Sequence, residues 1–230
     1  ESPLAGEPLP AANERLWYGR LASGAGYLAV LQMGGFAEDE EAGLADELAA
    51  LDAGLDQALA ALDGASAMII DLRYNPGGDD AFGLAIANRF ADRRRPAFSK
   101  QAFQRGELTP AYDVELEPAA GRRFAGPVAV LAGPLTTSAA EATCLMFRAL
   151  PHARLVGAPT RGILSDALEK RLPNGWEFTL SNEIYRSPAG EAFEGAGVPP
   201  HVATAAGPPA SVDERFGRDI RAAAALLAGD

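Results

Sequence analysis

Apolar positions fall into two kinds of run along the chain, and the two kinds alternate. "AMIIDL", "GPVAVLAG" and "ARLVGAPT" are short, continuous apolar segments closed by Pro or Gly. Side chains alternate between the faces of a strand, so an unbroken apolar run predicts a strand covered on both. Between these runs the period lengthens. Leucines at 44, 48, 51, 55, 59 and 62 recur at helical spacing, predicting an amphipathic helix over 38–62 that ends at Gly64. Helices over 80–91 and 139–150 follow the turns "NPGG" and "GPLTTS". Strand, turn and helix in series predict an α/β fold with a mainly parallel central sheet.

The flanks complete the pattern. "LWYGRLASGAGYLAVLQM" alternates around "ASGAG" and predicts an N-terminal β-hairpin, whereas residues 1–13, rich in Pro, Ala and Gly, predict a linker or frayed arm ahead of a core domain over 14–230. Strands are expected over 166–172 and 175–186, joined by the Asn-Gly turn of "LPNGW". The span 105–126 lacks a period and predicts a long loop bordering a site. A surface helix is expected over 212–227.

Composition narrows the choice of partners. With 230 residues, 48% of them hydrophobic, the chain can bury one sizeable core. Its net charge of -11 argues against nucleic acid, which needs a basic stripe to displace counterions. Nine acids and no Lys or Arg between Phe36 and Gly64 read as the solvated face of a helix or an acidic docking surface. The single cysteine, Cys144, leaves no disulfide framework or multi-cysteine metal site and reads as a core residue. No apolar run reaches the roughly 18 residues of a membrane span.

Candidate chemistry centres on "GPLTTSAAEAT". "SAAE" is a capping box, and on that reading Ser138 is a helix cap worth about 1 kcal/mol. A hydroxyl at a strand-to-helix turn is also placed for nucleophilic attack, because the unpaired N–H groups of the helix start can hold a developing oxyanion. "NPGG" ends a neighbouring strand with glycines whose backbone can approach a substrate closely, or it is a simple turn.

Taken together, "MIIDLRYNPGG", "GPVAVLAGPLTTSAAEA", "ARLVGAPTRG", "LPNGWEFTL" and "GEAFEGAGVPP" stand in the order and spacing of the C-terminal processing (tail-specific) serine peptidases. From about residue 16 to 202 the chain resembles that family. It is most similar to the branch shared with the tricorn core protease, the nisin-resistance peptidase and the interphotoreceptor retinoid-binding protein. The resemblance implies a curled β/α core of the Clp protease/crotonase type. Ser138 then matches the nucleophile, the N–H groups of Gly78 and Ala139 the oxyanion hole, with Gly77 supporting it, and Glu194 a glutamate that steers the base. It also implies a peptide or protein substrate lying against the sheet edge, no metal or other cofactor, and export from the cytoplasm.

Where the processing branch has its lysine base this chain has Ile163, and Lys100 and Lys170 fall off the motif. In the tricorn-like branch the base is a histidine upstream of the serine. His152 and His201 both lie downstream and read as a helix-end residue and a turn residue, so the expected base lies outside these 230 residues, in a longer protein of which this is the C-terminal part. Glu194 reads equally as a loop carboxylate satisfied by backbone N–H groups. A catalytically silent domain binding an apolar ligand or peptide is the rival expectation. A thioester-using crotonase-type enzyme is disfavoured, because nothing resembles a surface for the cofactor's phosphates.

Overall fold

The computed structural model describes residues 3–204 and 212–229. Residues 1 and 2 of the expected arm, and 205–211 and 230 of the expected core domain, lie outside the described residues. Seven strands form the main sheet: β1 (Leu9–Ala11), β2 (Leu16–Arg20), β3 (Gly26–Val30), β4 (Met68–Asp71), β8 (Val128–Ala132), β9 (Ala153–Gly157) and β13 (Val202–Ala203), in that spatial order. The first two pairings are antiparallel and the remaining four parallel. The expected hairpin is β2–β3. Leu9–Ala11, expected within the arm, instead adds an edge strand, where Pro10 costs no ladder bond.

The continuous apolar runs are explained by cover on both faces. Met68, Ile70, Val128, Val130 and Leu155 point into a core shared with helices α1 (Leu44–Ala61), α2 (Asp80–Asn88) and α3 (Ala139–Arg148). Ile69, Ala129, Leu131 and Val156 point to the opposite side, where α4 (Val212–Ala228) lays Ile220 and Ala223 on the sheet. Cys144 lies wholly buried in α3. No helix among the described residues is long and apolar enough to cross a membrane.

Several expectations change. Helix α1 starts at Leu44 because Asp39 closes a turn onto the N–H of Glu41, and the chain reaches the helix through Gly43. Its acids are not merely a solvated face, since Asp52 and Asp56 flank the buried Arg89 guanidinium. Helix α2 stops at Asn88 because the carbonyls of Asn88 and Arg89 accept from Ala119 and Phe124 of the next segment. The span 105–126 is not all loop. It holds β6 (Glu107–Leu108) and β7 (Tyr112–Leu116), both paired with β5 (Arg95–Gln104).

The expected strand over 175–186 divides at Asn182 into β11 (Glu177–Ser181), which pairs only with β10 (Ala167–Arg171), and β12 (Glu183–Arg186), which joins β5. Asn182 is where the ladder changes partner. Its N–H donates to Ser165 Oγ at 3.0 Å and its carbonyl accepts from Phe103 at 2.8 Å.

His201 supplies a pH-dependent joint. Its Nδ1 accepts from Leu155 N–H at 2.8 Å, which requires a neutral ring, and burial, with help from Arg148 and Arg154, holds its pKa below the ordinary histidine value. A depressed folded pKa means the stabilisation is complete above the unfolded value of about 6.5 and is lost as pH falls through the folded one. The melting temperature is therefore expected to drop between about pH 7.5 and 5, and His201→Gln to flatten that drop. An identical slope in the variant would place the acid sensitivity elsewhere.

Candidate active site

Strands β4 and β8 are parallel neighbours, so their C-terminal turns emerge at one sheet edge. The first turn carries Asn75–Gly78 and the second Gly133–Ser138. Asn75, wholly buried, ties them together. Its Nδ2 donates to Val30 O at 3.0 Å, its Oδ1 accepts from Gly77 N–H at 2.9 Å, and its carbonyl accepts from Thr137 N–H at 3.1 Å. Gly77 is pressed against the serine. At its φ of 99° a Cβ would stand 2.7 Å from Ser138 Cβ and 3.2 Å from Ala139 N. Gly78, at φ 143°, sits so close to Met33 that any Cβ would collide with the Met33 carbonyl.

Ser138 occupies φ 56°, ψ -127°, a strained setting for a residue with a side chain. Ser138 and Glu141 face each other as a capping box, the Glu141 carboxylate accepting from Ser138 N–H, while the N–H of Glu141 donates to the Ser138 backbone carbonyl at 2.7 Å. Among the described residues no acceptor takes the N–H of Gly78 or of Ala139, the latter being the first helical residue and hence without an intrahelical partner.

The conformation is held by Glu141, whose buried carboxylate accepts four hydrogen bonds. Thr160 Oγ1 donates at 2.5 Å, and the N–H groups of Gly162, Ile163 and Ser138 at 2.6, 2.8 and 3.0 Å. The Ile163 carbonyl in turn accepts from Ser138 N–H at 3.0 Å, so the loop over 160–163 and the serine are locked to each other. Glu194 acts one step out. Its carboxylate accepts from Leu164 and Ser165 N–H at 2.8 and 3.0 Å and from Ser181 Oγ at 3.2 Å, and no hydrogen bond joins it to Ser138.

The structure brings Gly77, Gly78, Ser138 and Ala139 together and sets Glu194 behind the adjoining loop. No histidine or lysine joins them. The His152 carbonyl receives the N–H of Val128, at the opposite end of β8 from Ser138, which a five-residue strand puts roughly 15 Å away. His201 lies beside the middle of β9, and Lys170 is exposed on β10. Asn75, Thr160 and the four-donor role of Glu141 went unread in the sequence; "NPGG" and "SAAE" each carried part of the signal.

The strand order and the helices that cover the sheet are those of the Clp protease/crotonase-type fold. A sequence model of peptidase family S41 matches residues 24–204, and the chain belongs to that family. A candidate peptidase from Parabacteroides merdae superposes with a TM-score of 0.79 at 26% identity, over 97% of this chain and 67% of its own. The photosystem II D1 C-terminal processing protease gives 0.60 at 20% identity, over 100% of this chain and 51% of its own. Mature CPAF complexed with lactacystin gives 0.71 at 15%, over 98% and 56%. The chain therefore spans about half the length of the last two.

Proposed function

We propose that Ser138 is the nucleophile of a peptide-bond hydrolysis. Its Oγ bonds to the scissile carbonyl carbon while a base takes the hydroxyl proton, and the oxygen that gains charge is received by the N–H groups of Gly78 and Ala139. Collapse of that intermediate breaks the C–N bond, the amine leaves with the proton, and water hydrolyses the acyl-enzyme. The observation that carries this reading is a serine strained at φ 56° at the start of a helix, flanked by the N–H groups of Gly78 and Ala139, for which no acceptor stands among the described residues. Gly77, having no side chain, lets its turn pack directly against the serine. Glu194 orients the loop over 163–165, against which a base would stand.

The base we assign to a histidine outside these 230 residues, since neither histidine nor either lysine of the chain reaches Ser138. An N-terminally extended form should hydrolyse peptides and label at Ser138 with a fluorophosphonate, and the 230-residue chain should be about 10³-fold slower. Replacing each upstream histidine by alanine identifies the base. Full activity in the 230-residue chain, lost on replacing His152, His201 or Lys170, would refute the assignment. An extended form that neither labels nor hydrolyses would favour a silent peptide-binding domain.

A further inference from the structure

We infer that Lys100 is the positioning residue that keeps the two halves of the candidate site in register. The inference rests on the peptidase reading for its catalytic consequence, but its structural basis is independent. Lys100 lies in β5, paired with Tyr185 of β12. Its ammonium stands 3.3 Å from Asp166 Oδ2, 3.3 Å from Glu183 Oε2, 3.3 Å from Tyr185 Oη and 3.7 Å from Asp80 Oδ2. Tyr185 Oη closes the ring by donating to Asp80 Oδ2 at 3.0 Å.

Asp80 and Asp166 belong to the two parts of the site that must not drift apart, and Glu183 and Tyr185 to the strand β12 beside them. Asp80 opens α2 two residues after Gly78, and the preceding N–H, of Asp79, is fixed to the Met33 carbonyl at 3.0 Å. Asp166 follows Ser165, which is held by Glu194 and which itself receives the N–H groups of Asn182 and Glu183 at 3.0 and 2.9 Å. Three residues earlier, Ile163 holds Ser138. One ammonium thus links the turn that supplies the Gly78 donor to the loop that supports the nucleophile.

An ammonium has three donors and no acceptor, so it can be shared among carboxylates that would otherwise repel one another. Burial pulls its pKa down, but Asp166, Asp80 and Glu183 outweigh that and hold it above the ordinary lysine value, so Lys100 stays charged and is not a base. Asp80 is raised by burial against the opposing pull of Lys100. Tyr112, Asp113 and Glu115 of β7 line the same cleft, the last paired with Arg94, and supply no cation to replace it. With Lys100 gone, three carboxylates face one point uncompensated, and they belong to the α2 start, to the loop carrying Asp166 and to β12.

The test is Lys100→Met beside Lys100→Arg. In the 230-residue chain, Lys100→Met should speed amide exchange by about tenfold or more in 77–80 and 163–166 while leaving β3, β4 and β8 as protected as before, and Lys100→Arg should restore most of the protection. In the extended, active form kcat should fall by about 10- to 100-fold with KM changed by no more than about twofold. The activity of Lys100→Met should also recover toward acid pH as Asp80 protonates, a shift that general loosening of the fold would not produce. If Lys100→Met does not fold, Asp166→Asn, which keeps the cation, should loosen 163–166 alone. Unchanged exchange in both segments overturns the inference whatever the activity. Faster exchange in a protein whose wild type never hydrolyses a peptide keeps the clamp and removes the peptidase reading.

Discussion

Ser138→Ala is expected to abolish the peptide turnover proposed for an N-terminally extended form, and Ser138→Gly to do the same while making the fold more stable. The gain in stability follows from the φ of 56° and the loss of turnover from the proposed role of the hydroxyl. A residue with a Cβ in that setting costs on the order of 1–3 kcal/mol, which glycine avoids at an entropic cost of about 0.5–1 kcal/mol. The net gain is about 1 kcal/mol. If the serine were a simple cap, both substitutions would leave activity in place and neither would stabilise. Chemical denaturation of the three proteins, with turnover measured on the same samples, separates the two roles. Retained turnover in either variant would return Ser138 to the capping role.

Arg73→Leu should cost about 3–5 kcal/mol, the largest loss of stability expected for one side chain here. Arg73 lies on the strand side of the "NPGG" turn and is almost fully buried. Its guanidinium donates to both oxygens of Asp71, at 2.9 and 2.6 Å, and to Asp219 Oδ2 and the Phe216 carbonyl of α4, both at 3.2 Å. It also lies 4.8 Å from the Phe216 ring. Asp71 accepts as well from Tyr27 Oη at 2.8 Å. Leucine would strand two buried carboxylates, so the deficit should shrink as acid neutralises them. Lys should rescue little, because one point charge cannot reproduce the two-pronged contact with Asp71. Urea unfolding at neutral and acid pH checks all three statements; a loss under about 1 kcal/mol would mean that α4 docks by its apolar face alone.

β4, β8 and β9 could be read from the sequence because burial on both faces leaves a mark that polar strands do not, whereas the two-residue parallel strand β13 carries no such run. β7 left none. Only Leu116 of its five residues is buried; Tyr112 and Asp113 are exposed and Val114 and Glu115 half-buried, so no two-residue period shows. β1 is three residues long with a proline at its centre, so only its pairing with β2 reveals it. At the site, the serine and the glycines were legible because short motifs hold them. Glu141 was half legible: its spacing from Ser138 announces one hydrogen bond, and the other three come from a loop some twenty residues on. The Lys100 cluster was illegible, since its members run from Asp80 to Glu183 and Tyr185 and meet only through the pairing of β5 with β12.

The burial of Cys144 has a practical consequence. Its thiol is enclosed on every side, and burial together with the nearby Glu141 charge pushes its pKa above the ordinary thiol range, so almost no thiolate exists in the folded protein. A maleimide or disulfide reagent can therefore modify it only when the helix that begins at Ser138 lifts from the sheet. As the chain has a single cysteine, the rate of that modification is an intrinsic clock for opening of the core beneath Ser138, readable by intact mass without any engineered label.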